Sequence, residues 1–234
     1  MLQVFQATDV GLVRAQNEDS LAVFAPQMYI VADGMGGEAA GEVASGILTD
    51  TMQAQLMGRE NSGSDQLAAA MQVANIAILQ CAATHPSYQG MGTTATALHI
   101  EAAQAHWAHV GDSRLYLWRA GELRQVTRDH SYVEDLVANG TITPEEARVH
   151  PRKNMLTRAV GVAPQLKVDT GSFALQPGDQ LLLATDGLMK HLTDEAIAAS
   201  LAAETADPAQ ALVHGALNAG GSDNVTAIVV VWQP

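Results

Sequence analysis

Apolar positions along the chain follow two rhythms, and the switches between them mark the elements. Met28 to Ala32 is apolar without a break and too short for a helix, so it reads as a fully buried strand ending at Asp33. Residues 2–8 and 20–25 read as strands on either side of a polar loop, 11–19. Beyond Gly34, Gly36 and Gly37 the rhythm lengthens. Val43, Ile47, Thr51 and Leu48, Met52, Leu56 fall in adjacent i, i+4 rows, which predicts a helix over 38–57. After a loop at 58–64, Ser64 is a candidate cap for a second helix, 65–83, with Leu67, Met71, Ala74 and Ile78 inward. Two successive helices with no strand between them argue against a doubly wound sheet. Strands at 92–100, 104–110 and 113–119 follow with short connections, which implies antiparallel pairing.

Residues 127–158 break the pattern: they are polar and irregular, with two short helical pieces. The second opens Thr143-Pro144-Glu145-Glu146, a capping box with proline at the first helical position. Strands at 166–174 and 179–185 are joined by a Pro177-Gly178 turn. Helices follow at 194–203, capped by Thr193, and from Asp207-Pro208 to Asn218, with Gly220 past its end. The last strand covers 225–232. With helices early and late and antiparallel strands between, the pattern predicts an α+β fold of two packed sheets with a helix pair outside each.

Composition adds bounds. At 234 residues, one domain spanning 1–234 is expected. Only 4% of residues are aromatic, so the core must be built from aliphatic side chains and methionine. The net charge of −13 argues against a nucleic-acid partner, which needs a basic face. It suits a protein that binds cations, and equally a merely soluble acidic surface. One cysteine, Cys81, allows no internal disulfide. Ser87 stands where a cysteine-phosphatase loop would need arginine, so Cys81 reads as an inert thiol. No signal peptide and no apolar run of about 18 residues is present, so a cytoplasmic monomer without membrane contact is expected.

The chemistry lies where strands end. Asp33 at the end of its buried run is matched by Asp186-Gly187 after Leu181–Ala184, by Asp112 after His109-Val110-Gly111, and by Asp223-Asn224 after Gly220-Gly221-Ser222. One such aspartate would be an ordinary solvated turn. Four of them, with Glu18 and Asp19, make an all-oxygen set that favours Mg2+ or Mn2+ over zinc. Two such cations about 3.5–4 Å apart can share a hydroxide and clamp a phosphoryl group. Arg14, four residues before Glu18, can then grip the free phosphate oxygens with a planar fork. His106 and His109 lack metal-site spacing and read as packing residues. The 127–158 segment holds His130 and a basic group, Arg148, Arg152, Lys153 and Arg158, that is itself a third of the twelve Lys and Arg. This is either a substrate-contacting flap or a solvated helical excursion.

Seven motifs in order carry a family resemblance: Arg14-x-x-Asn17-Glu18-Asp19; Val31-Ala32-Asp33-Gly34-Met35-Gly36-Gly37; Gly90-Met91-Gly92-Thr93-Thr94; His109-Val110-Gly111-Asp112-Ser113-Arg114; Asp129-His130-Ser131; Ala184-Thr185-Asp186-Gly187; and Gly221-Ser222-Asp223-Asn224-Val225-Thr226. The chain resembles the bacterial type 2C, metal-dependent (PPM) serine/threonine protein phosphatases. The resemblance implies a four-layer α-β-β-α sandwich with metals at one end of the two sheets. Asp33 would bridge two Mn2+ or Mg2+ ions. The Gly34 carbonyl and Glu18, through water, would serve one, and Asp186 and Asp223 the other. Asp112 would hold a third, weaker ion, Asp19 and Asn224 would support the ligands, and Arg14 would bind phosphate. Residues 127–158 match the family's flap, with His130, Arg148 and Arg152 facing substrate.

The implied activity is hydrolysis of phosphoserine and phosphothreonine by direct attack of a metal-bridging hydroxide, on proteins phosphorylated by a serine/threonine kinase. The sequence departs from relatives that carry histidine where this chain has Met35 or Glu38, so no histidine is carried over as general acid. The alternative function is a catalytically silent member that binds phosphoproteins.

Overall fold

The computed structural model describes residues 2–36, 40–59 and 62–233. Among the described residues eleven strands build two sheets. One runs β1 (Leu2–Asp9), β11 (Val225–Trp232), β10 (Gln180–Ala184), β7 (Arg114–Arg119), β8 (Glu122–Gln125). The other runs β2 (Asp19–Phe24), β3 (Met28–Met35), β5 (Ala95–Glu101), β6 (Gln104–Val110), β9 (Asp169–Ala174), with the short β4 (Gly92–Thr93) paired to β3. Every pairing is antiparallel. Helices α1 (Ala40–Leu56) and α2 (Ser64–Thr84) cover the second sheet, while α5 (Asp186–Met189), α6 (Asp194–Ala202) and α7 (Pro208–Asn218) cover the first. The expected four-layer α-β-β-α sandwich is the observed one.

The unbroken apolar strands are explained by burial on both faces. In β3, Tyr29 and Val31 point between the sheets, while Met28, Ile30 and Ala32 point out under α1 and α2. In β10, Leu181 and Leu183 point in, and Leu182 and Ala184 lie under the other helices. Helix α2 is apolar and long enough to cross a membrane by length and composition, with a mean hydropathy of 1.5. Here its row Leu67, Met71, Ala74 and Ile78 is buried against the sheet.

Several expectations need correction. Strand β3 does not stop at Ala32: it continues through Asp33 to Met35, because Gly34 and Met35 pair with Thr93 and Gly92. That second pairing also splits the expected 92–100 strand. Ser64 does not cap α2. Gly63 occupies the cap position, and the Ser64 hydroxyl donates to the Gly171 carbonyl at 2.6 Å. On α1 the fully buried row is Ala44, Leu48 and Met52, and Val43 and Ile47 sit at the edge of the contact. Strand β8 and helix α5 carry too few residues to show a period. Gly37 and Glu38, where the first helix was expected to begin, lie outside the described residues.

Candidate active site

One end of the sandwich gathers the acidic motifs. Asp19 and Asp33 are register partners across β2 and β3. Asp186 opens α5 two residues beyond the end of β10, and Asp223 lies two residues before β11. The two sheets are stitched here by Asp19, whose Oδ2 accepts 2.7 Å hydrogen bonds from the Thr185 and Thr226 hydroxyls of the opposite sheet. Asn224 fixes the loop before β2: its side-chain amide donates to the Val10 and Gln16 carbonyls, and its Oδ1 accepts from the Glu18 amide at 2.8 Å. Arg14 rises from that loop, 48% exposed, with Nε 2.8 Å from Asp223 Oδ1 and Nη1 3.8 Å from Glu18 Oε2.

Asp33 is held by its backbone. Its amide donates to Thr94 Oγ1, and its carbonyl accepts from the Thr94 amide and the Thr93 hydroxyl. That gives the Gly92-Thr93-Thr94 motif a positioning role. Gly34 is required next to it, since a Cβ there would lie 2.1 Å from the Gly41 carbonyl oxygen of α1. Among the described residues nothing donates a hydrogen bond to the Asp33 carboxylate.

The electrostatics tie these groups into one site. Desolvation, then Asp186, Asp19 and Asp112, push Asp33 well above the carboxylate range. Desolvation raises Asp19 to about 7, with Asp186 and Asp223 adding to it against the two threonine hydrogen bonds. Asp112 rises to about 8 by desolvation and by the charges of Asp186 and Asp129. Glu18 is raised by desolvation despite Arg14. Among the described residues the buried Asp19 Oδ1 has no hydrogen-bond partner.

Sequence patterning missed Lys190. Its Nζ lies 2.7 Å from Asp186 Oδ2 and 2.5 Å from Asp223 Oδ2. The signal was legible as the i, i+4 spacing Asp186–Lys190. Among the described residues no three Asp, Glu, His or Cys side chains are drawn together closely enough to form a closed metal cage. The donor set nevertheless fits divalent cations. It is all oxygen, it is rich in carboxylates that raise one another's pKa, and it contains a desolvated Asp33 carboxylate without a donor.

The raised carboxylates make a pH prediction. Each binds its proton more tightly folded than unfolded, so metal-free stability falls as pH rises toward the folded values. On the acid side the desolvated His99, His109 and His130, all lowered from 6.5, oppose this by favouring the unfolded chain. In chelator the melting temperature should therefore fall between about pH 6.5 and 8. With Mn2+ the slope should reverse, because ligation requires the deprotonated carboxylates. Scanning calorimetry at stepped pH checks both signs, and a flat metal-free profile would contradict the electrostatic account.

Over the site hangs the 127–158 segment, with α3 (Tyr132–Ala138) capped by Ser131 and α4 (Pro144–Val149) carrying the expected capping box. A groove of about 490 Å³ runs beneath it, lined by Arg148 and Lys153 from the segment and by Asp112, Asp186 and Lys190 from the site. His130 does not face this groove and is corrected here. It is buried, its Nδ1 accepts from the Gly111 amide at 3.1 Å, and its Nε2 lies 3.0 Å from Asp169 Oδ2. Arg152 is corrected too, since its guanidinium lies over the Tyr132 ring, 5.6 Å from the centroid, away from the groove walls. Arg158 pairs with Asp169 at 2.6 Å. His109 is a buried packing residue, as expected, held neutral by desolvation that lowers it to about 3.

Comparison with known proteins gives the same outline. A family model described as Protein phosphatase 2C matches residues 13–216. The chain is 41% identical over 236 residues to the serine/threonine protein phosphatase PstP of Mycobacterium tuberculosis, covering 98% of this chain and 45% of that protein. It is 36% identical to protein phosphatase PhpP of Streptococcus pneumoniae, covering 98% of this chain and 97% of that one. The solved catalytic domain of PstP in complex with two manganese ions superposes with a TM-score of 0.91 at 37% identity, covering 100% of this chain and 99% of that one. The chain thus spans less than half the length of the mycobacterial relative and nearly all of the streptococcal one.

Proposed function

The chain belongs to the protein phosphatase 2C family, and we propose that it hydrolyses phosphoserine and phosphothreonine in proteins at a dinuclear Mn2+ or Mg2+ centre. The observation that carries this reading is the convergence of carboxylates from both sheets on the undonated Asp33. Asp33 would bridge the two ions, the Gly34 carbonyl and Glu18 would serve one, and Asp186 and Asp223 the other. Asp112, at the groove wall, would hold a third. When bound, the ions supply an activated water for direct in-line attack and neutralise the phosphoryl oxygens.

The chain's own residues do the rest. Arg14, anchored through Nε, keeps donors free to hold the phosphate fork-wise. Asn224 and the Asp19–threonine bridge hold the ligand-bearing loops in place. Neither His109 nor His130 is placed to protonate the leaving oxygen. Both ring nitrogens of His109 are engaged, with Thr96 and the Arg128 carbonyl, and those of His130 with Gly111 and Asp169. That proton therefore comes from water, either metal-bound or from solvent, and from neither of these histidines. The same reading makes residues 1–234 one catalytic domain, a cytoplasmic monomer acting on the products of a serine/threonine kinase. The silent-module alternative is disfavoured because no ligand position has lost its oxygen.

The test is turnover of a phosphothreonine peptide with and without divalent metal. Chelation should abolish activity and Mn2+ or Mg2+ restore it, whereas full activity in excess EDTA would sink the mechanism. Flap contact has its own measure. Arg148→Ala should lower kcat/KM for phosphoproteins more than for p-nitrophenyl phosphate, which is too small to extend from the site to the flap side of the groove, while Arg152→Ala should change neither appreciably. Equal losses on both substrates for Arg148→Ala would place it in the chemistry.

A further inference from the structure

Helix α5 ends against Lys190, one turn beyond Asp186, and the Lys190 ammonium touches both Asp186 and Asp223. It lies 2.7 Å and 2.9 Å from the Asp186 oxygens and 2.5 Å from Asp223 Oδ2. These are the two carboxylates that the metal-centre reading gives to one ion. An ammonium offers three donors and no acceptor. It satisfies carboxylate oxygens much as a metal does, but it cannot share the same oxygens with a divalent cation at these distances without strong like-charge repulsion. It is also tethered one helical turn from its first partner, so its effective concentration there is on the order of millimolar or higher. The Lys190 side chain, 24% exposed, borders the groove beneath the flap with Asp194 on the same wall, so there is room for it to withdraw.

The geometry points to Lys190 as an intramolecular competitor for one metal site: it holds the Asp186–Asp223 pair in the metal-free protein and must swing away before that ion binds. The site is thereby made the weaker and more exchangeable of the two, and loading of the centre responds to the free metal concentration. This inference rests on the metal-centre reading and adds to it a residue that sets affinity without touching substrate.

Calorimetric titration of Mn2+ into the metal-stripped chain tests it, comparing wild type with Lys190→Met, which keeps the apolar stem and removes the charge. The weaker Kd should fall roughly tenfold to a hundredfold in the variant, the factor carried by one charge-assisted hydrogen bond. Without metal the variant should melt below wild type, because the carboxylates have lost their cation. Lys190→Arg, which keeps the charge, should stay near the wild-type Kd. In the wild type itself, labelling of Lys190 by an amine reagent, followed by mass spectrometry, should rise when Mn2+ is added. Unchanged or weaker Mn2+ binding in Lys190→Met, or labelling that Mn2+ leaves unmoved, overturns the competition and leaves the metal centre standing. If neither protein takes up Mn2+, the metal-centre reading fails and the inference falls with it.

Discussion

Asp33→Asn is expected to lose nearly all phosphatase activity and yet to be no less stable than the wild type once metal is removed. The two effects have one origin. The Asp33 carboxylate is desolvated, faces Asp186, Asp19 and Asp112, and receives no hydrogen bond among the described residues. Its charge is a cost to the empty fold, offset in part by Lys190. A neutral amide of the same shape removes the cost and keeps the backbone bonds to Thr93 and Thr94. But it cannot bridge two divalent ions. With metal present the wild type gains RT ln(1 + [L]/Kd), about 2.7 kcal/mol at a hundredfold excess over Kd, and the variant should gain far less. The melting curves should therefore separate in Mn2+ and converge or cross in EDTA. A variant that Mn2+ stabilises as much as wild type, or one plainly weaker in EDTA, would mean that Asp33 serves the fold and not the metals.

How legible the molecule is from its sequence depends on which interactions are local. The central strands β3, β10 and β11 read directly as apolar runs, because both faces are buried. The caps at Thr143 and Thr193 read directly because a cap is decided within four residues. Ser64 was misread for the complementary reason: its partner, Gly171, lies on β9, which no local rule connects to it. The extension of β3 through Asp33 also comes from a distant partner, Gly92–Thr93. A strand end inferred from composition alone falls where the apolar residues stop, and pairing does not have to stop there.

The site divides along the same line. The convergence of Asp33, Asp112, Asp186 and Asp223 was legible because each follows an apolar strand run or a turn glycine. How they are balanced was not. The Asp19–Thr185–Thr226 bridge joins opposite sheets, and neither threonine hints at it in sequence. His130 and Arg152 looked available because they are polar residues in a polar segment. Their partners, Asp169 and Tyr132, are set by how the segment folds back on β9 and on α3. Charge counting therefore overstates how many flap cations are free for a substrate: Arg158 is paired, Arg152 is stacked, and Arg148 and Lys153 line the groove.

Gly187→Ala is expected to destabilise the fold and the ligand pair together. A Cβ at Gly187 would stand 1.9 Å from the Asn224 carbonyl oxygen, a backbone atom that no rotamer change can move. The contact joins the first turn of α5 to the residue before β11, so relief requires the two elements to part. They carry Asp186 and Asp223, and Asn224 clips the Arg14 loop through Val10, Gln16 and Glu18. Overpacking against side chains costs about 1–3 kcal/mol, and against backbone the upper figure or more is expected. At roughly 2–4 °C per kcal/mol for a chain of this size, the melting temperature should fall by roughly 6–12 °C or more. Mn2+ affinity and turnover should fall with it, because the ligand pair is spread. Gly46→Ala on α1 is the contrast. A Cβ there meets nothing within 4 Å, so alanine should raise stability by about 0.5–1 kcal/mol through helix propensity. Calorimetry and Mn2+ titration on the two variants side by side decide it. If Gly187→Ala melts with the wild type and binds Mn2+ as tightly, the close approach of α5 to Asn224 is not what sets the ligand pair.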